Sequence, residues 1–129
     1  MGRALPIGRG REFESHYTFS YIFRKDLKTM KARKSRKPLF KIGEVVATKR
    51  VNERMEKSQA FDLFCRRSLI RHIHGDWGSV SKLDKRSNDE AVYYGDRILS
   101  VYPFGVEDKI WIITEADRSH TTILFPDEY

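Results

Sequence analysis

Apolar and polar positions change rhythm several times along this chain, and each change predicts an element. Residues 40–47, Phe-Lys-Ile-Gly-Glu-Val-Val-Ala, alternate in a β-rich stretch and predict a strand. A spacing of four then takes over. Phe61, Cys65, Leu69 and Ile73 form the buried stripe of a helix that begins near Val51 or at Ser58, with Arg66, Arg67 and Arg71 off the stripe. Gly75 stands where such a helix would end in the left-handed conformation. Ser81, followed three residues later by Asp84, has the form of a capping box and opens a second helix that runs to Tyr94 and stops at Gly95. Three strands follow, over 97–102, 109–114 and 120–125, joined by connections short enough for hairpins. The order β-α-α-β-β-β predicts an α+β domain. Its small antiparallel sheet has about four strands, ends in a three-strand meander and is covered on one face by two helices.

The residues before Leu39 follow no such rhythm. Tyr17, Phe19, Tyr21 and Phe23 alternate as a short strand would, and are the one element there able to add to the edge of the sheet. Residues 31–37 then place Lys31, Arg33, Lys34, Arg36 and Lys37 in a self-repelling block ahead of Pro38. Charge divides at this point. Residues 1–38 hold eleven Lys/Arg against three Asp/Glu, +8, whereas residues 39–129 hold fourteen against fifteen, −1. The sequence pI of 9.6 is therefore set by the first third. The expected organisation is a basic, flexible extension over 1–38 and one domain over 39–129. Met30 offers an internal start, and Phe13-Glu-Ser15 matches the peptide that a transfer-RNA T-loop would encode. On that reading residues 1–29 are an upstream artefact.

Composition narrows the class. The chain has 129 residues, 33% of them charged, and no apolar run near the roughly 20 residues that cross a bilayer. Cys65 is the single cysteine, so no internal disulfide forms, and a reducing cytoplasm is the expected compartment. No membrane association and no cofactor are expected.

Candidate chemistry gathers at two places. His72, His74 and Asp76 form a His-x-His-x-Asp string whose donors suit zinc or iron, but only His120 and no second cysteine could complete a set, so no metal site is expected. Trp77, beside Asp76, reads either as a core plug under a capped turn or as an exposed anchor for a partner. Glu115, Asp117, Arg118 and His120 crowd one hairpin turn, where a rigid sheet commonly displays binding residues. His72, Asp76, Trp77, Glu115, Asp117, Arg118 and His120 are accordingly the candidate binding surface. Lys31, Arg33, Lys34, Arg36 and Lys37 are candidates for nucleic-acid phosphates.

The strings His72-Ile-His-Gly-Asp-Trp-Gly78, the positions Asp84, Asn88, Ala91, Gly95 and Arg97, and the run from Lys109 through Thr-Glu-Ala-Asp-Arg-Ser119 to Tyr129 resemble one bacterial family. It is a set of small proteins of plasmids and integrating elements, labelled "plasmid-related protein" or "type I restriction endonuclease subunit M". The resemblance covers about residues 40–129. It implies a mobile-element setting, and the label links it to restriction-modification. An adenine methyltransferase, however, requires an Asp/Asn-Pro-Pro-Tyr/Phe motif, and Pro6, Pro38, Pro103 and Pro126 are all isolated. The expected function is that of a non-enzymatic accessory protein acting by protein binding; the alternative is a nucleic-acid-binding protein that uses the basic extension.

Overall fold

The computed structural model describes residues 37–129 and, before them, the backbone of Tyr17–Thr18. The fold is α+β. Strand β2 (Glu44–Ala47) leads through Thr48 into helix α1 (Lys49–Lys57) and then helix α2 (Gln59–Ile73). Helix α3 (Lys82–Tyr94) precedes the meander of β3 (Ile98–Phe104), β4 (Asp108–Thr114) and β5 (His120–Leu124). A two-residue strand, β1 (Tyr17–Thr18), lies outside β2, so the sheet order is β1-β2-β5-β4-β3.

Two features differ from the expected arrangement. The helix read as starting near Val51 or at Ser58 is two helices. Ser58 ends the first, donating its N–H to Arg54 O, and caps the second, its Oγ accepting from Phe61 N at 3.1 Å. Val51 lies in the first turn of the first helix, and Ser58 is the N-cap of the second. The sheet is mixed rather than antiparallel throughout, because β2 and β5 pair in parallel with Glu44 opposite His120 and Ala47 opposite Ile123. A parallel pair needs a long crossover, which the helices and two meander strands between them supply. Alternation along one strand carries no signal of its neighbour's direction.

The core lies between α1, α2 and one face of the sheet. Val45 and Ala47, Ile123, Ile110 and Ile112, and Tyr102 meet Val51, Met55, Phe61, Cys65, Leu69 and Ile73. At its far end Phe61, Phe64, Phe104 and Phe125 pack ring to ring, and the Arg54 guanidinium lies 4.5 Å over Phe61 while pairing with Asp108 at 3.0 Å. The short helical turn Pro126–Glu128 is tied back to α1. Glu128 accepts from Thr48 Oγ1 at 2.9 Å, and Arg50 pairs with Asp127 at 3.0 Å.

The free edge of the meander is closed without another strand. The Asn88 side chain bonds the Leu99 backbone in both directions, donating to Leu99 O at 2.7 Å and accepting from Leu99 N at 3.2 Å. Val101 donates to Trp77 O and accepts from Ser79 N. Pro103, the next outward position, has no N–H to offer. Side-chain amide, loop backbone and proline thus blunt the whole edge.

Gly78 makes that closure possible. Its φ is +75°, and a Cβ there would stand 1.9 Å from Val101 O. Gly95 shares the conformation, at +77°, but a Cβ would meet nothing within 4 Å. Gly95→Ala should therefore cost about 1–2 kcal/mol, the ordinary penalty of a left-handed L-residue. Gly78→Ala must add a backbone collision to that penalty. Paired thermal melts should show Gly78→Ala falling well below Gly95→Ala; equal losses would show that β3 yields easily to the loop.

Candidate functional site

His72, on the inner face of α2, is fully buried. Its Nδ1 lies 2.6 Å from Ser100 Oγ on β3, and its Nε2 lies 2.9 Å from Thr114 Oγ1 on β4. Thr114 Oγ1 is 2.7 Å from Thr121 Oγ1 on β5, which donates to Ile42 O at 2.7 Å. Each hydroxyl has one proton, so the chain has one direction. Thr121 spends its proton on Ile42, so Thr114 donates to Thr121 and must accept from His72. Nε2 therefore carries the imidazole hydrogen, Nδ1 is bare, and Ser100 donates to it. Burial, reinforced by the nearby Arg118 charge, pushes the His72 pKa down to about 3. The ring is neutral.

The Gly75–Gly78 turn fastens three elements. Gly75, at φ +86°, ends α2. Arg71 grips Asp76 with two bonds, Nε at 2.8 Å and Nη2 at 3.2 Å, and Asp76 Oδ1 also accepts from Gly78 N. The Arg71 guanidinium holds the Asp76 carboxyl below its usual range. Tyr102 donates its hydroxyl to Asp76 O at 2.6 Å. Trp77 is 3% exposed, meets His72 and Phe40 ring to ring, and donates its indole N–H to Asp89 of α3 at 2.9 Å.

The β4–β5 turn fastens α3 from its other end. Arg118 sits at φ +61° and spreads its guanidinium over backbone carbonyls: Ala91 O at 2.8 Å, Asp96 O at 2.7 Å, and Glu115 O and Ala116 O of its own turn. Ala91 O belongs to the last turn of α3 and Asp96 O to the segment just past its Gly95 cap, so the cation also meets the negative pole of the helix. Its charged group lies 5.5 Å over the Phe40 ring. The Ser119 hydroxyl, and after it the Ser119 N–H that Asp117 Oδ1 accepts at 2.9 Å, hold the exposed Asp117 carboxyl low. Ser119 Oγ and His120 Nδ1 are 2.9 Å apart, and burial raises the Glu115 carboxyl.

These positions separate the sequence candidates. His72 and Trp77 are not surface residues: the four-residue stripe that buries Cys65 and Leu69 carries His72 into the sheet, and Trp77 fills the gap under α3. Asp76 is half-exposed but held by Arg71, and Arg118 is committed to carbonyls. Glu115, Asp117, Arg118 and His120 do share one turn, as expected. The His-x-His-x-Asp string does not converge, since His72 points inward, His74 donates Nδ1–H to Ile70 O and Asp76 pairs with Arg71. Cys65 is buried, and burial raises its thiol pKa. Of the cationic run, Lys37 is described and exposed; Lys31, Arg33, Lys34 and Arg36 lie outside the described residues.

Both motif strings converge on α3, and that convergence was not legible in either string. Only Asn88 and Ala91 of its thirteen residues are buried. Polar fasteners hold it: Trp77 to Asp89, Asn88 to Leu99, Arg118 to Ala91. Its outer surface carries Leu83, Tyr93 and Tyr94, which are 75%, 85% and 79% exposed. Leu83 and Tyr94 lie eleven residues apart, three helical turns, and so share one face. A spacing search for buried stripes passes over them because they are apolar on the wrong side.

No protein-family model, curated protein or solved structure matches the chain. Among the described residues no helix is long and apolar enough to cross a membrane.

Two outcomes follow from the fasteners. Asn88→Leu leaves a Leu99 N–H and C=O without partners, at roughly 1–3 kcal/mol for each orphaned group, and urea melts should register the sum. His72 binds a proton readily only when unfolded, its ordinary pKa being 6.5 against about 3 in the fold. The unfolded state therefore gains protons as pH falls below about 6.5, and stability is lost on that side, by about 2 kcal/mol at pH 5. Denaturation across pH 4.5–7.5 should show this loss in the wild type, and a flatter profile in His72→Gln would assign it to the ring.

Proposed function

We propose that this chain is an accessory protein that acts by binding a protein partner, and that α3 is the element it presents. What carries this reading is the contrast within one helix. Every polar device around α3 holds it still, while its outer face displays a leucine and two tyrosines to solvent. Tyrosine supplies large, stiff, amphipathic contact area at low entropic cost and is enriched where proteins meet. The exposed Asp117 turn stands beside the end of α3 because Arg118 joins the two, so a partner would meet an aromatic patch with an acidic margin. The resemblance to proteins of plasmids and integrating elements suggests where to look for that partner, and the lone buried thiol fits a cytoplasmic setting.

A photo-crosslinking amino acid at Tyr94 of the full chain should trap a discrete partner in the host. The same probe at Glu53 of α1, exposed and remote in sequence, should not. Leu83→Ser/Tyr93→Ser/Tyr94→Ser should abolish capture while moving the melting temperature by no more than about 2–3 °C, since exposed side chains contribute little to folding. Equal capture from both positions would remove α3 as the docking element.

The +8 charge of residues 1–38 supports a second reading, nucleic-acid binding through the extension. Gel shifts over a salt series would show a steep fall in affinity with salt if those cations neutralise phosphates, and a flat response would exclude them.

A further inference from the structure

Residues 37–43 and the β4–β5 turn meet along one groove. Leu39 donates to Ile73 O at 2.8 Å and Phe40 packs on His72 and Trp77, which anchors the segment. Gly43 then lies so close to the turn that a Cβ there would collide with the carbonyls of Arg118 and Ser119. The groove between segment and turn has a volume of about 630 Å³. Lys37, Lys41 and Arg118 line it together with the apolar Pro38, Phe40 and Ile42, and no carboxylate is among its lining residues. A groove of similar size beside α1 is balanced by contrast, with four cations against four carboxylates. Lys37 and Lys41 are exposed, and among the described residues neither pairs with a carboxylate. Arg118 is gripped by the carbonyls of Ala91, Asp96, Glu115 and Ala116, whose dipoles fix the guanidinium but leave its unit charge without a counter-ion. Burial lowers the Arg118 pKa despite the nearby Asp96 carboxylate, as befits a cation short of negative charge.

We propose, resting on the nucleic-acid reading above, that this groove holds the backbone phosphates of a single nucleic-acid strand and reads no sequence. Three features favour that occupant. The cations are uncompensated, and a strand brings one negative charge per nucleotide. The bidentate fork by which arginine matches a carboxylate is spent here on carbonyls, whereas the two lysines are point charges that suit phosphate oxygens. The remaining lining is apolar and includes an aromatic ring, a surface for the faces of sugars and bases rather than for their hydrogen-bonding edges. A volume of this order takes about two nucleotides of a single strand and is too small for a duplex. With no free fork and no side-chain amide in the lining, nothing there distinguishes one base from another.

Fluorescence anisotropy of a labelled thymidine oligonucleotide with the full chain, over a salt series, tests this. Lys37→Gln/Lys41→Gln should weaken binding about tenfold and lower the slope of log affinity against log salt by about 1–1.5, the share of two phosphate contacts. Lys57→Gln/Lys109→Gln, the same charge change at the balanced groove, should alter affinity less than about twofold. Lys37→Arg/Lys41→Arg should bind as the wild type does. All four lysines are exposed, so each variant should melt like the wild type. Wild-type affinity in Lys37→Gln/Lys41→Gln, or equal losses in both glutamine variants, would overturn the groove while leaving the nucleic-acid reading standing. No binding by the wild type at any salt would overturn both. Tighter binding of a polyglutamate peptide than of the oligonucleotide, lost in Lys37→Gln/Lys41→Gln, would assign the groove to an acidic protein segment, against the proposal.

Discussion

The neutral imidazole of His72 is the constraint around which the other parts are arranged. A histidine on the inner stripe of a helix is costly to desolvate unless both ring nitrogens find partners, and here they find them on two different strands. The hydroxyl chain then passes to a third strand and ends on the carbonyl of Ile42. One side chain thereby sets the height and rotation of α2 over β3, β4 and β5, and fixes the segment that leads into β2. Ser100, Thr114 and Thr121 have no other evident reason to interrupt an isoleucine-rich face. A hydrophobic contact would tolerate a small slip of the helix; a directed chain of four hydrogen bonds does not.

Fixing α2 fixes the turn that follows it, and through that turn α3. The residues that look most like chemistry in the sequence (paired histidines, an aspartate beside a tryptophan, a charged hairpin) serve largely to hold backbone. Asp76 and Arg118 are both charged, and both are satisfied by groups within the fold. What remains exposed is the helix they position. A helix that buries two residues of thirteen would be marginal on hydrophobic contact alone. Trp77, Asn88 and Arg118 replace that contact with directional bonds, which leaves the apolar side chains of α3 free to face outward.

Much of this architecture was legible in the residues, and the parts that were not share a physical cause. Periodicity located the strands after residue 43 and the helices α2 and α3 but ran α1 and α2 together as one, and the Ser81 and Gly95 caps were placed correctly because capping is a local matter. Residues 40–43 also alternate, yet form no strand: Leu39 donates to Ile73 O, Phe40 packs on His72 and Trp77, and Gly43 turns at φ +62° against Ser119. Asn88 stands in mid-helix, where asparagine is a weak helix former, and its partner is the edge of β3, a choice made by tertiary packing. Arg118 showed as a charge in a turn, and nothing in its neighbours announces a grip on carbonyls of α3. The direction of β2 against β5 is likewise absent from any local window.

That parallel seam also bears on how the molecule assembles. Glu44 and His120 are opposite one another yet 76 positions apart, whereas the β3–β4 and β4–β5 hairpins join near neighbours. Loop-closure entropy lets the hairpins form early and delays the seam, which places it among the slow, non-local pairings. Until β5 docks beside β2, Thr121 cannot reach Ile42, and the proton chain from His72 has no terminus. A half-assembled sheet would therefore hold a desolvated imidazole line with its final acceptor missing. Such an intermediate is penalised by the same bonds that stabilise the finished fold, so docking of the first long strand and burial of the histidine become a single cooperative event.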